Sequence, residues 1–186
     1  MRNIFILTIL LATNVCFAQT PVVPLCDGCL DLSPTKNGYY YKDLTNKYNP
    51  WVGTWQYTDG SNTVFKVVIT KVEAVLFPES FTKAAIIYYA DVLNGGYYYK
   101  ENGIVKTDHL IYTNQIEAPI LEIGKYSTLN SKLRFFFREI DKSPSLLCGY
   151  VDFTLLPGST TQATWVFDAS KKRNFSVPDN IILTKE

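Results

Sequence analysis

No stretch of twelve residues in this chain carries the apolar stripe of an amphipathic helix, and that constrains its fold more than any single motif. Short runs of β-branched and aromatic residues recur instead, parted by Gly, Asn, Asp and Pro at spacings of roughly 8–12 residues. Trp51 to Thr58 reads as one strand, closed by Asp59-Gly60-Ser61-Asn62, residues that tolerate positive φ and bond their own backbone. Thr63 to Val72 completes a hairpin. Ala84 to Asp91 follows, Asn94-Gly95-Gly96 is expected to turn the chain into Tyr97–Glu101, and Asn102-Gly103 to turn it again into Ile104–Thr107. An Asn-Gly pair suits a type I′ turn because that turn needs positive φ twice. Weaker strands are expected near Leu110–Thr113 and Ile120–Ile123.

The carboxyl-terminal third alternates most clearly. In Ser131–Ile140, Leu133, Phe135 and Phe137 share one face while Arg134, Phe136 and Arg138 share the other. In Leu147–Leu156, Val151, Phe153 and Leu155 oppose Tyr150, Asp152 and Thr154. Pro157-Gly158-Ser159 then leads to Gln162–Asp168, and Ile181–Lys185 ends the series. The expected fold is all-β: a single antiparallel barrel or barrel-like sandwich of about eight to ten strands. With 186 residues the chain is long enough for one hydrophobic core, and its 15% aromatic content suits pleated, half-buried surfaces.

The first eighteen residues read as a signal peptide: Arg2 is followed by an uncharged apolar run from Ile4 to Ala12, and Cys16-Phe17-Ala18 offers a cleavage site. Residues 19–49, broken by Pro21, Pro24, Gly28 and Pro34, read as an irregular arm, and 50–186 as the β domain. Lipidation at Cys16 is the alternative to cleavage, and would anchor an otherwise exported periplasmic or secreted protein. No later stretch approaches the ~20 apolar residues of a membrane helix. Arg2 is one of 18 basic residues, so its removal leaves 17 against 17 acidic ones. A neutral chain has no electrostatic footprint for nucleic acid.

Lys42-Asp43-Leu44, Asn49-Pro50-Trp51-Val52-Gly53-Thr54-Trp55 and Val177-Pro178-Asp179-Asn180-Ile181-Ile182-Leu183-Thr184-Lys185 resemble an uncharacterised family of exported flavobacterial proteins, known only as a domain of unknown function. That resemblance implies no activity, cofactor or binding residue. Gly53-Thr54-Trp55 also resembles the Gly-x-Trp of lipocalin-like barrels, which favours a lipocalin-like fold. The resemblance implies that Trp55 closes one end of the barrel beneath a basic residue late in the chain, with Arg173 and Lys185 as counterparts.

Catalytic constellations are scarce. His109, beside Asp108, is the sole histidine, and no nucleophile motif accompanies it, so a turn or surface role fits it better than a triad. Asp91 and Asp152 are the carboxylates to consider for an acid–base pair, though solvated strand faces explain them equally. Cys26, Cys29 and Cys148 survive cleavage, enough for one disulfide and one thiol. Cys26-Asp27-Gly28-Cys29 lacks the helix that a redox motif needs, and zinc would require His109 besides all three cysteines. No metal or cofactor is therefore expected. Arg134 and Arg138, flanking Phe136 on one face, are a candidate anion site, and the runs Tyr39–Tyr41, Tyr88–Tyr89, Tyr97–Tyr99 and Phe135–Phe137 are candidate stacking platforms, with core filling and cross-strand aromatic pairs the favoured account of each. The leading expectation is a non-enzymatic exported barrel whose interior binds a small apolar or amphipathic ligand, or whose surface meets a partner. A hydrolase with a carboxylate pair, or a lipid-anchored surface protein, are the alternatives.

Amino-terminal sequencing of the exported protein should begin at Gln19-Thr20-Pro21. Metabolic lipid labelling that vanishes in Cys16→Ser would establish the anchored form instead.

Overall fold

The computed structural model describes residues 20–25, 37–79, 86–110, 118–122, 131–139, 147–168 and 175–186. They form eleven strands in one mixed sheet. These are β1 (Val22–Pro24), β2 (Tyr40–Lys42), β3 (Gly53–Thr58), β4 (Val64–Glu79), β5 (Ile86–Glu101), β6 (Ile104–His109), β7 (Ile120–Glu122), β8 (Lys132–Glu139), β9 (Leu147–Leu155), β10 (Gln162–Phe167) and β11 (Ile181–Lys185). Their spatial order is β1-β2-β5-β4-β3-β11-β10-β9-β8-β7, with β6 added to the end of β5.

The all-β expectation holds, but a single antiparallel barrel does not describe it. β1, β2 and β5 run parallel to one another. β7, at one end of the path, reaches back to the middle of β5, the third strand from the other end, at Asn94↔Leu121 and Gly95↔Ile120. That seam is two residue pairs long, so the sheet curls round its core without closing into a regular barrel. The stretch read as an irregular arm contributes β1 and β2, three residues each, to the sheet edge.

The largest departure lies in β5. Asn94-Gly95-Gly96 does not turn; a single strand of 16 residues runs through it. A Cβ on Gly95 would stand 2.3 Å from the Val68 carbonyl oxygen, and one on Gly96 would stand 2.1 Å from that of His109. Neighbouring backbones come too close there for any side chain, which is the other physical use of strand glycine. β4 likewise continues past Val72 to Glu79, through a bulge at Glu73-Ala74 where Ala74 has a φ of 53°. Asn102-Gly103 does turn the chain, with both φ values positive.

Alternation in β8 and β9 follows the sequence. Leu133, Phe135 and Phe137 are buried and Arg134 and Phe136 only partly so, because one face packs inward and the other meets water. The interior is a continuous aromatic cluster. Phe153 stands 4.9 Å from Trp55, 5.6 Å from Trp51, 6.0 Å from Phe135 and 6.0 Å from Trp165, ring centre to ring centre. These edge-on and tilted contacts add to the burial of large apolar surfaces. Trp51, Trp55 and Trp165 are wholly buried.

Phe153→Ala should therefore cost about 3–5 kcal/mol of stability in chemical denaturation. Phe136→Ala, on the outer face, should cost no more than about 1 kcal/mol.

Candidate functional site

Three places bring functional side chains together, and each is decided by strand pairing. At the β4 bulge, Asp91 is completely buried and Asp43 is 4% exposed. Asp91 accepts hydrogen bonds from the Tyr40 hydroxyl at 2.5 Å, the Asp43 amide at 2.9 Å and the Ala74 amide at 3.2 Å. The Asp43 carboxylate receives the amides of Lys47 and Tyr48, fixing the turn after β2. Lys71 Nζ lies between the carboxylates, 3.5 Å from Asp43 and 3.6 Å from Asp91. Burial first, and then the bond to Asp91, push the Tyr40 hydroxyl well above its ordinary range. Asp91 thus meets a second carboxylate, as an acid–base pair would require, but both are occupied by backbone amides and one ammonium. The arrangement clamps β2 to β4 and β5. The sequence flagged Asp91 but gave Asp43 no role, since only the parallel pairing of β2 with β5 brings the two together.

On the outer face of β8–β10, Arg134 forms a forked pair with Asp152 at 2.6 and 2.9 Å and reaches Asp168 at 3.4 Å. Lys132 adds a 2.8 Å contact to Asp152. Burial alone would raise the Asp152 carboxyl, but the bonds and charges of Arg134 and Lys132 outweigh it and hold it below the usual range. A carboxylate held down suits no general acid. Arg138 stacks over the Phe136 ring at 5.4 Å. Arg134 is committed to carboxylates and Arg138 to the Phe136 ring, so the two arginines do not converge as the candidate anion site would need. His109 ends β6 opposite Tyr97, with ring centres 6.3 Å apart, and belongs to the aromatic packing. Asp108 pairs with Tyr98, one position along the strand and so on the opposite face.

Trp55 donates its indole N–H to the Trp51 carbonyl at 2.8 Å. Lys185 lies over its ring at 5.4 Å and donates to the Pro50 carbonyl at 2.8 Å. Gly53 makes room: at φ 132° a Cβ there would meet Lys185 Cε at 3.0 Å. Burial lowers the Lys185 pKa. Arg173, the other counterpart, lies outside the described residues, as do Cys16, Cys26 and Cys29. Cys148 on β9 is a free thiol among the described residues.

The open site lies where β3 and β11 part. Their ladder has two register pairs, Gln56↔Thr184 and Lys185↔Trp55, and then stops. The Asp179 carboxylate accepts the Phe167 amide at 2.8 Å, holding the start of β11 against the end of β10. Asp59 accepts the amides of Ser61 and Thr63, drawing the end of β3 into its turn toward β4. The strands are pulled to opposite sides. Between them opens a cleft of about 640 Å³ lined by Gln56, Tyr57, Thr58, Ile181, Ile182 and Thr184, among others. Gln56 also borders a second groove of about 430 Å³ on the outer face, with Lys66, Tyr98 and Asp108 in register beside it. Sequence reasoning missed this site, because a failure of two strands to pair leaves no mark on either.

Among the described residues no group of His, Cys, Asp or Glu is placed to hold a metal ion, and no helix is long and apolar enough to cross a membrane. A family model described as a family of unknown function, DUF6705, matches residues 1–137. No curated protein and no solved structure matches.

Asp91→Asn should weaken the β2 clamp and cost about 3 kcal/mol in denaturant titration, since it leaves Lys71 and the facing donors poorly paired. Hydrogen exchange at the Tyr40 and Asp43 amides should accelerate by a larger factor than exchange in β9.

Proposed function

Since the chain belongs to the DUF6705 family, whose function is unknown, we propose from the geometry that it is a non-enzymatic, exported binding domain whose site is the cleft between β3 and β11. The carrying observation is where space lies in the molecule. The interior that the sequence reading reserved for a ligand is filled by Trp51, Trp55, Phe65, Phe135, Phe153 and Trp165, all wholly buried. The volume of about 640 Å³ lies outside that core, where two strands separate. It joins exposed hydrogen-bonding side chains to the apolar surface of Ile182, which is 49% exposed. Such a mixture suits an amphipathic ligand or a partner segment.

Trp55 beneath Lys185, with Gly53 clearing the path, supports a lipocalin-like plug at one end of the curled sheet. Export, with cleavage after Ala18 or anchoring at Cys16, rests on the amino-terminal sequence pattern. The hydrolase alternative draws less support, because Asp43 and Asp91 are occupied by structural donors and Asp152 is held in its charged form.

A fragment library screened by protein-observed NMR should shift the amides of Gln56, Thr58, Ile182 and Lys185 together. Shifts centred on Phe65, Phe153 and Trp165 instead would return the site to the interior and sink this reading.

A further inference from the structure

Beyond the β3–β11 cleft, and sharing only Gln56 with it, we propose that the second groove, on the outer face of β3–β6, binds a neutral saccharide against Tyr98. What singles it out is the fate of three consecutive tyrosines. Tyr97 and Tyr99 are buried in the aromatic interior, where both pack against Phe65. Tyr98 points the other way, as strand alternation requires, and is only half-buried. Among the described residues its ring meets no other ring and its hydroxyl no hydrogen-bond partner. The core makes no use of this ring, which lines the groove instead.

Four strands place polar groups around it in register. Gln56, Lys66, Tyr98 and Asp108 are successive partners across β3, β4, β5 and β6, so their side chains leave the same face. Neighbouring strands lie about 4.8 Å apart, which sets Lys66 and Asp108 one strand to either side of the ring. In the next row Val64 pairs with Lys100, and both line the groove. Leu110 bounds the other end. A Cβ on Gly96 would stand 2.8 Å from its Cα, so the chain leaving β6 crosses the outer face two residues before Tyr98. The space enclosed, about 430 Å³, is the size of a small-molecule site.

The charges decide the ligand's chemistry. Lys66 is matched by Glu186 at 3.0 Å. Lys100 and Asp108, which have no ion-pair partner among the described residues, line the groove with opposite signs. No net charge remains to draw in an anion or a cation. A wholly apolar ligand would cover an amide, a carboxylate and two ammonium groups without pairing them, at a cost in desolvation. What fits is a ring with an apolar C–H face and hydroxyls around its rim, and a pyranose has that form. Its face covers Tyr98 while its rim donates to Asp108 and accepts from Lys66 or Lys100. Gln56, which can donate and accept, is placed for the next unit of a sugar chain.

Titration of the intact chain with neutral tetrasaccharides of glucose, mannose, galactose and xylose, in α and β linkage, followed by protein-observed NMR, tests this. At least one should bind with millimolar affinity or better and shift the Lys66, Tyr98 and Asp108 amides together. Saturation transfer should be strongest on the C–H groups of one sugar face. Tyr98→Ala should weaken binding at least tenfold, and Tyr98→Phe, which keeps the ring, less than threefold. Should Tyr98→Ala fail to fold, Asp108→Ala at its exposed position carries the test, with an expected loss of at least fivefold. No binding by any tetrasaccharide, or affinity unchanged in Tyr98→Ala, overturns the proposal. So does a tenfold preference for the galacturonate tetramer over the galactose one, which would make the groove an anion site. Shifts centred on Thr58 and Ile182 would also overturn it, while leaving the β3–β11 cleft standing as the site.

Discussion

At Gly95 and Gly96, in the middle of β5, the chain brings backbone against backbone more closely than any side chain permits. Everything else in the sheet is arranged around that contact. β5 meets β4 along almost its whole length, while its other edge is shared in succession by β2, β7 and β6. A strand with four neighbours needs some register positions without bulk, and the Val68 and His109 carbonyls occupy the space where two Cβ atoms would be. The seam with β7 begins at Gly95 itself, so the curl of the sheet depends on this one glycine pair.

The curl gives the aromatic residues a common interior, and polar contacts of different kinds tie the strands around it. In one, Lys185 covers Trp55 and hydrogen-bonds to Pro50, which places an ammonium over a ring face and satisfies a loop carbonyl at once. At the β4 bulge, Asp91 gathers donors from β2, from the following turn and from Ala74. A buried carboxylate with that many donors is chiefly a registry device: without its partners the charge would be costly to bury, so the strand β2 is held where its hydroxyl and amide can reach.

The same logic explains the cleft. β11 is held to β10 by its ladder and by Asp179, and β3 is held to β4 by a six-pair ladder and the Asp59 turn. Each strand satisfies its stronger neighbour, and the interface between them is left two pairs long. The opening consists of strand ends kept apart by contacts made elsewhere.

How much of this could be read from the chain depends on the range of the interaction involved. Alternation in β8 and β9 was legible because each residue's environment follows from its own position on a half-buried strand. Asn102-Gly103 was legible as a turn, and Gly53-Thr54-Trp55 with Lys185 as a pairing worth testing, since both rest on local chemistry or a motif. Asn94-Gly95-Gly96 carries the same local signal as a turn, and only the proximity of Val68 and His109 makes it a strand interior instead. Likewise β1 and β2, three residues each among prolines and tyrosines, become strands only when β5 offers them an edge. The sequence by itself determined an all-β chain with one aromatic core, because periodicity and side-chain type act residue by residue. Tertiary structure alone decided the parallel corner, the Asp43–Asp91–Lys71 clamp and the opening between β3 and β11, because each depends on which distant backbones come to lie side by side.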